Sequence, residues 1–108
     1  MAWTIDSALE NEAIDRSKKT ENGFSIWLKG IPLEIKIVLS INGVRGGYNY
    51  HLSHVIKTPD QYDAYRTNNP WGDYDAYALH KAVSAITHYY NTAVKNGHIP
   101  SKKWLVSY

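Results

Sequence analysis

Cysteine is absent from the 108 residues, which excludes a disulfide framework, a thiolate metal site and a cysteine nucleophile. With no sign of an oxidising compartment, the cytoplasm is the default location. Aliphatic residues are scarce: seven Leu, ten Ile and six Val with a single Phe leave only a modest supply for a core. Long apolar runs are missing too, since the longest nearly uncharged stretch, Ile35 to Ile41, falls far short of the roughly 18 residues that span a bilayer. Asp6, Glu10 and Glu12 stand where a secretion signal needs a basic and then an apolar stretch. The net charge of +2 is too low for the disordered class. The expectation is one soluble α+β domain over residues 1–108, with about 65% of its unfolded surface buried, enough to fold without staples.

Carboxylate side chains are absent after Asp75. Six of the ten lie in residues 1–34 and four between Asp60 and Asp75, while Lys81, Lys95, Lys102 and Lys103 make the C-terminal third basic. Such asymmetry steers charged partners. What the chain has in quantity is aromatic: four Trp and nine Tyr, side chains that carry large apolar area and a polar handle.

Thr4 or Ser7 caps a first helix, Ser7 and Glu10 have capping-box spacing, and Ile5, Leu9 and Ala13 recur every four residues, which predicts a helix from Asp6 to Lys18. After Asn22-Gly23, Phe24, Ile26 and Leu28 alternate with polar positions and predict a strand. Leu33, Ile35, Ile37, Leu39 and Ile41 give the cleanest two-residue period and a second strand. The glycine-rich Asn42–Gly47 segment reads as a hairpin turn into a third strand, Tyr48 to Lys57. Thr58-Pro59 with Gln61 signals a short helix to Arg66, which Asn68-Asn69-Pro70-Trp71-Gly72 breaks. A long helix of about 22 residues opens at Asp73 and Asp75 and stops at Asn96-Gly97, with Leu79, Ala82, Val83, Ile86 and Tyr90 on one stripe. Lys102 to Tyr108 remains for an edge strand or a tail. The predicted fold is thus an N-terminal helix, a three-stranded antiparallel sheet, a short helix and a long C-terminal helix packed on one sheet face. Phe24, Ile26, Leu28, Leu33, Ile35, Ile37, Leu39, Ile41, Leu52 and Ile56 form its core face, with Tyr50 and Tyr90 making up for scarce aliphatics.

On that register Trp27, Val38 and Val55 project from the other sheet face among Lys29, Lys36, His51 and Lys57. An apolar patch of that kind marks an interaction site unless the first helix or the C-terminal tail covers it. A second aromatic concentration, Tyr62, Tyr65, Trp71, Tyr74 and Tyr77, lies among Asp60, Asp63, Asp73 and Asp75 and suits a basic protein surface. Local packing in a small core is its competing explanation.

Catalytic patterns are thin. Glu34-Ile35-Lys36 has the acid-x-lysine form of metal-dependent nucleases, yet the neighbouring strands supply no second carboxylate. His51 and His54 fall on opposite strand faces, and His80 and His88 are about 12 Å apart along a helix, so neither pair chelates a metal. No metal site, cofactor or catalytic residue is expected. The order of helix, three strands and helix resembles that of double-stranded RNA-binding domains, but Asp73 and Asp75 stand where that family opens its helix with a lysine cluster. Gly43-Val44-Arg45-Gly46 has the GXXG form of KH loops, but it joins strands and reads as a hairpin turn.

The expected function is therefore non-enzymatic binding of a macromolecule, most readily a protein, through Tyr- and Trp-rich surface. The partner-binding residues are Trp27, Lys36, Val38, His51, Val55, Tyr62, Tyr65, Trp71, Tyr74 and Tyr77. Small domains without a catalytic set include inhibitors, immunity proteins and phage-encoded counter-defence proteins of the anti-CRISPR kind. The alternative is a nucleic-acid-binding module using the basic outer sheet face and C-terminal tail. No membrane association is expected, and the C-terminal edge strand leaves room for pairing with a second copy.

Overall fold

The computed structural model describes residues 2–108. In chain order its elements are α1 (Ile5–Leu9), β1 (Ile14–Thr20), β2 (Gly23–Leu28), β3 (Ile35–Ile41), β4 (Tyr48–Leu52), β5 (His54–Ile56), β6 (Trp71–Gly72), α2 (Asp75–Lys95), a single 3-10 turn (Lys102–Trp104) and β7 (Leu105–Ser107). Five strands make an antiparallel sheet in the order β1-β2-β3-β4-β6, and β5 and β7 form a separate two-stranded sheet. The architecture is mixed α+β with a long helix, as the sequence implies, but the main sheet has five strands rather than three and the first helix is short.

The first helix ends early because its cap lies upstream of the Ser7–Glu10 pair. Thr4 and Ser7 cap each other, the Thr4 hydroxyl accepting from the Ser7 amide at 3.0 Å and the Ser7 hydroxyl from the Thr4 amide at 2.9 Å. Asn11 then turns the chain by accepting from the Ala13 amide at 2.9 Å, and Ile14–Thr20 runs as a strand instead of continuing the helix. Glu21-Asn22 joins β1 to β2 in a hairpin, with Thr20 opposite Gly23 and a bulge between Ile14 and Arg16. Helix α2 lies across β3, β4, β5 and β6. The middle of β1 is therefore exposed and carries no apolar alternation.

Two further predictions give way. Thr58 to Arg66 forms no helix: Gln61 accepts from the Thr58 amide at 2.7 Å and donates to the Ile56 carbonyl at 3.0 Å, so the start signal closes a single turn. The Tyr65 amide then donates to the Ile56 carbonyl and returns the chain to extended structure. The predicted strand from Tyr48 to Lys57 breaks at Ser53, whose amide and hydroxyl both bond the Lys36 backbone. Beyond that bend β5 leaves the main sheet to pair with β7, and the alternation of faces is lost. Val55, expected on the outer face, is 1% exposed opposite Val106 of the C-terminal strand.

The core lies between the inward side of the sheet and α2. Phe24, Ile26, Leu28, Ile35, Ile37, Leu52 and Ile56 are buried in it, Leu33 and Leu39 pack at its margin, and Ile41, at the hairpin end, is 75% exposed. Tyr50 and Tyr90 are buried as expected, Tyr90 edge-on to buried Trp104 and donating to the Lys29 carbonyl at 2.5 Å. Helix α1 packs on α2, tied there by Trp3, whose ring stacks on His80 at 3.6 Å and whose amide donates to the Tyr74 hydroxyl. Both helices thus sit on one side of the sheet. Among the described residues no helix is long and apolar enough to cross a membrane.

Candidate binding face

Because the inward positions of the strands are Phe24, Ile26 and Leu28 on β2, Ile35 and Ile37 on β3, and Tyr50 and Leu52 on β4, the residues between them point the other way. Register then fixes their rows. Arg16 stands opposite Trp27; Lys18, Ser25 and Lys36 form the next row; Thr20, Gly23, Val38 and His51 the next; and Ser40, Asn49 and Trp71 the last. No helix covers these rows. Tyr108 approaches them with its ring 5.2 Å from that of His51, and Glu34 reaches the middle row, where Ser25 is buried.

Each end of the face carries an arginine stacked on a tryptophan. The Arg16 guanidinium lies 3.9 Å from the Trp27 ring centroid, and that of Arg45 lies 3.7 Å from Trp71. Such cation–π contacts are worth about 0.5–1 kcal/mol when exposed. The Arg45 end is heavily braced. Asn42 accepts from the Val44 and Arg45 amides at 3.1 and 2.8 Å, shaping the hairpin loop, and Arg45 donates to Asn69 at 3.1 Å. The Trp71 indole donates to the Gly46 carbonyl at 2.7 Å, and Lys81 reaches from α2 to the Trp71 carbonyl at 2.8 Å. Loop, edge strand and helix therefore hold one guanidinium in place.

The face is basic. Arg16, Lys18, Lys36 and Arg45 are exposed, whereas the paired rows carry no carboxylate and Asp15, in the β1 bulge, lines a hollow with Arg16 and Trp27. Glu34, just before β3, accepts from the Ser25 hydroxyl at 2.5 Å, so the acid of the acid-x-lysine pattern is engaged by a buried serine instead of a second carboxylate. Among the described residues no cluster of three or more His, Asp or Glu side chains could hold a metal ion.

Of the residues expected to bind, Trp27, Lys36, Val38 and His51 lie on this face, and Trp71 joins them from the last strand. The rest of the aromatic run is dispersed. Tyr62 is fully exposed by itself, Tyr65 rests on Tyr89 of α2 at 5.3 Å, and Tyr74 and Tyr77 continue the stack that holds Trp3 and His80. Tyr65 and Tyr77 line a hollow of about 530 Å³ along α2 with Tyr50, Tyr89, His80 and His88. Burial pushes Tyr50 above the ordinary phenol range and His80 below the ordinary imidazole range.

Sequence reasoning missed Arg16 and Lys18, which it placed in a helix, and Arg45, which it left in a turn. The signal for the first two is Asn22-Gly23, a strong hairpin dipeptide that implies a strand before it as well as after it. Compared with known proteins, the chain matches no family model, no curated protein and no solved structure.

Proposed function

We propose that this protein is a non-catalytic binding protein that seats a protein partner on the open outer face of its main sheet. The observation that carries the reading is the placement of both helices on the opposite side, which leaves Trp27, Val38, Trp71 and their stacked arginines accessible. Tryptophan and arginine dominate protein–protein hot spots, and stacking biases both toward one arrangement before the partner arrives. A chain of this size with one broad binding face acts by covering part of a larger partner, which is how small inhibitors work. Counter-defence and immunity proteins are the members of that class closest to this reading.

The test is capture from the native host at moderate salt, followed by substitution. Trp27→Ala with Trp71→Ala should release the retained protein, while Tyr62→Ala, which removes an isolated exposed ring, should not. Release by Tyr62→Ala alone would move the site to the acidic turn at 60–63. A second reading, a nucleic-acid module, is favoured by the excess of cations on the same face. It requires oligonucleotide affinity that falls with salt along a log–log slope made shallower by Lys36→Ala.

A further inference from the structure

We infer that the partner's contacting surface is acidic, and that Arg16 and Arg45 receive two of its carboxylates as preformed forks at opposite corners of the face. This rests on the outer face being the docking surface. Three strand spacings of about 4.8 Å and six residues of about 3.4 Å separate the Trp27 and Trp71 positions, which puts the two stacks about 25 Å apart on a diagonal. Of the two rows between them, Lys18 and Lys36 occupy the one beside Trp27, flanking the buried Ser25.

Free arginine loses much of its rotamer freedom when it grips a carboxylate, so a guanidinium already laid on an indole binds at lower entropic cost. Arg45 is stacked, bonded to Asn69 and carried by a loop whose own amides are tied to Asn42. Planar forks of this kind match carboxylates in a bidentate way that a lysine cannot reproduce. The fixed negative charge nearest the centre of the face, Glu34, already receives a hydrogen bond from Ser25. Asp15, in the β1 bulge, lines one hollow with Arg16 and Trp27 and is the carboxylate beside that stack, while Glu21 and Asp73 belong to the β1–β2 turn and the segment after β6.

The same stacks argue against single-stranded nucleic acid. Base-stacking platforms need open aromatic faces, whereas here each tryptophan already has a guanidinium over its ring.

The probes are a 20-residue poly-L-glutamate peptide and a dT20 oligonucleotide, titrated into the full chain while the arginine Nε–H and indole Nε1–H signals are followed by NMR. The peptide should shift Arg16, Arg45, Trp27 and Trp71 together and saturate. Arg16→Lys with Arg45→Lys keeps the charge and should weaken the peptide on the order of tenfold. Arg16→Lys alone, at an exposed strand position, repeats the test with little demand on folding. Unchanged affinity in both variants, shifts confined to other residues, or tighter binding of dT20 than of the peptide would each overturn the inference. If captured host protein is still released by Trp27→Ala with Trp71→Ala, the docking face survives and only its acidic partner is refuted; if it is not released, the docking face falls as well.

Discussion

Glycines 43, 46 and 47 lie in one hairpin loop, and an alanine at each should cost very different amounts. At Gly43 an added Cβ meets nothing and the backbone is not left-handed, so Gly43→Ala should change stability by less than about 0.5 kcal/mol. Gly46 has φ +82° but open space around it, so Gly46→Ala should cost about 1–2 kcal/mol for the conformation alone. Gly47 combines φ +69° with a Cβ position only 2.4 Å from the Gly72 carbonyl oxygen and 2.9 Å from the Trp71 ring. Adding an overpacking term of about 1–3 kcal/mol brings Gly47→Ala to about 2–5 kcal/mol, or a fall in Tm of about 4 °C per kcal/mol. Urea denaturation followed by tryptophan fluorescence gives the three midpoints. The Trp71 indole NMR signal should move most in Gly47→Ala, because that variant pries β6 from β4, and less in Gly46→Ala, which disturbs only the carbonyl that accepts from the indole. Equal midpoints for Gly46→Ala and Gly47→Ala would refute the close approach of the loop to Trp71-Gly72 and, with it, the brace on Arg45.

Three other outcomes follow from packing and titration. Trp104→Ala should destabilise by about 3–5 kcal/mol in the same denaturation assay, since this buried ring packs edge-on against Tyr90 at the end of the core. His80 is held below its ordinary range by burial, so its contribution is complete above the unfolded value of about 6.5 and declines as pH falls below it. The urea midpoint should therefore fall between pH 7 and pH 5, and His80→Phe should flatten that fall; an unchanged slope assigns it elsewhere. Tyr50 and Tyr90 are raised first by burial, Tyr90 also by the charge of Asp15, so their contributions are complete below about pH 10 and lost above it. Absorbance at alkaline pH should show two late-titrating tyrosines, one of them removed by Tyr90→Phe.

Strands that carry an apolar face were readable directly. Phe24–Leu28 and Ile35–Ile41 alternate because α2 buries one side of each, and α2 itself announces its stripe from Leu79 to Tyr90. Strand β1 was unreadable because its seven residues are stabilised by pairing with β2 rather than by burial, so its side chains carry almost no periodic signal. Strand β6 is two residues long, and its pairing depends on Gly72, where an added Cβ would lie 2.5 Å from the Ala78 amide of α2. No local pattern encodes that approach. The candidate face was legible in part: Trp27, Lys36, Val38 and His51 follow from strand alternation alone, while Arg16 and Arg45 depend on a hairpin register and a loop brace.

An uncovered sheet face in a chain with so few aliphatics has a physical logic. Covering both sides would require a second amphipathic helix, and α1, at five residues, is long enough only to pack beside α2. The remaining face therefore had to tolerate water, and arginine over indole does so by shielding one side of each tryptophan with a weakly hydrated cation. At the edges of the main sheet, Arg16, Lys18 and Lys19 of β1 repel an identical strand and β6 is too short to template one. On the proposed docking, a variant that neutralises Arg16, Lys18, Lys36 and Arg45 together should lose binding of the polyglutamate peptide, measured by the same NMR titration, without losing its fold, because all four side chains are exposed.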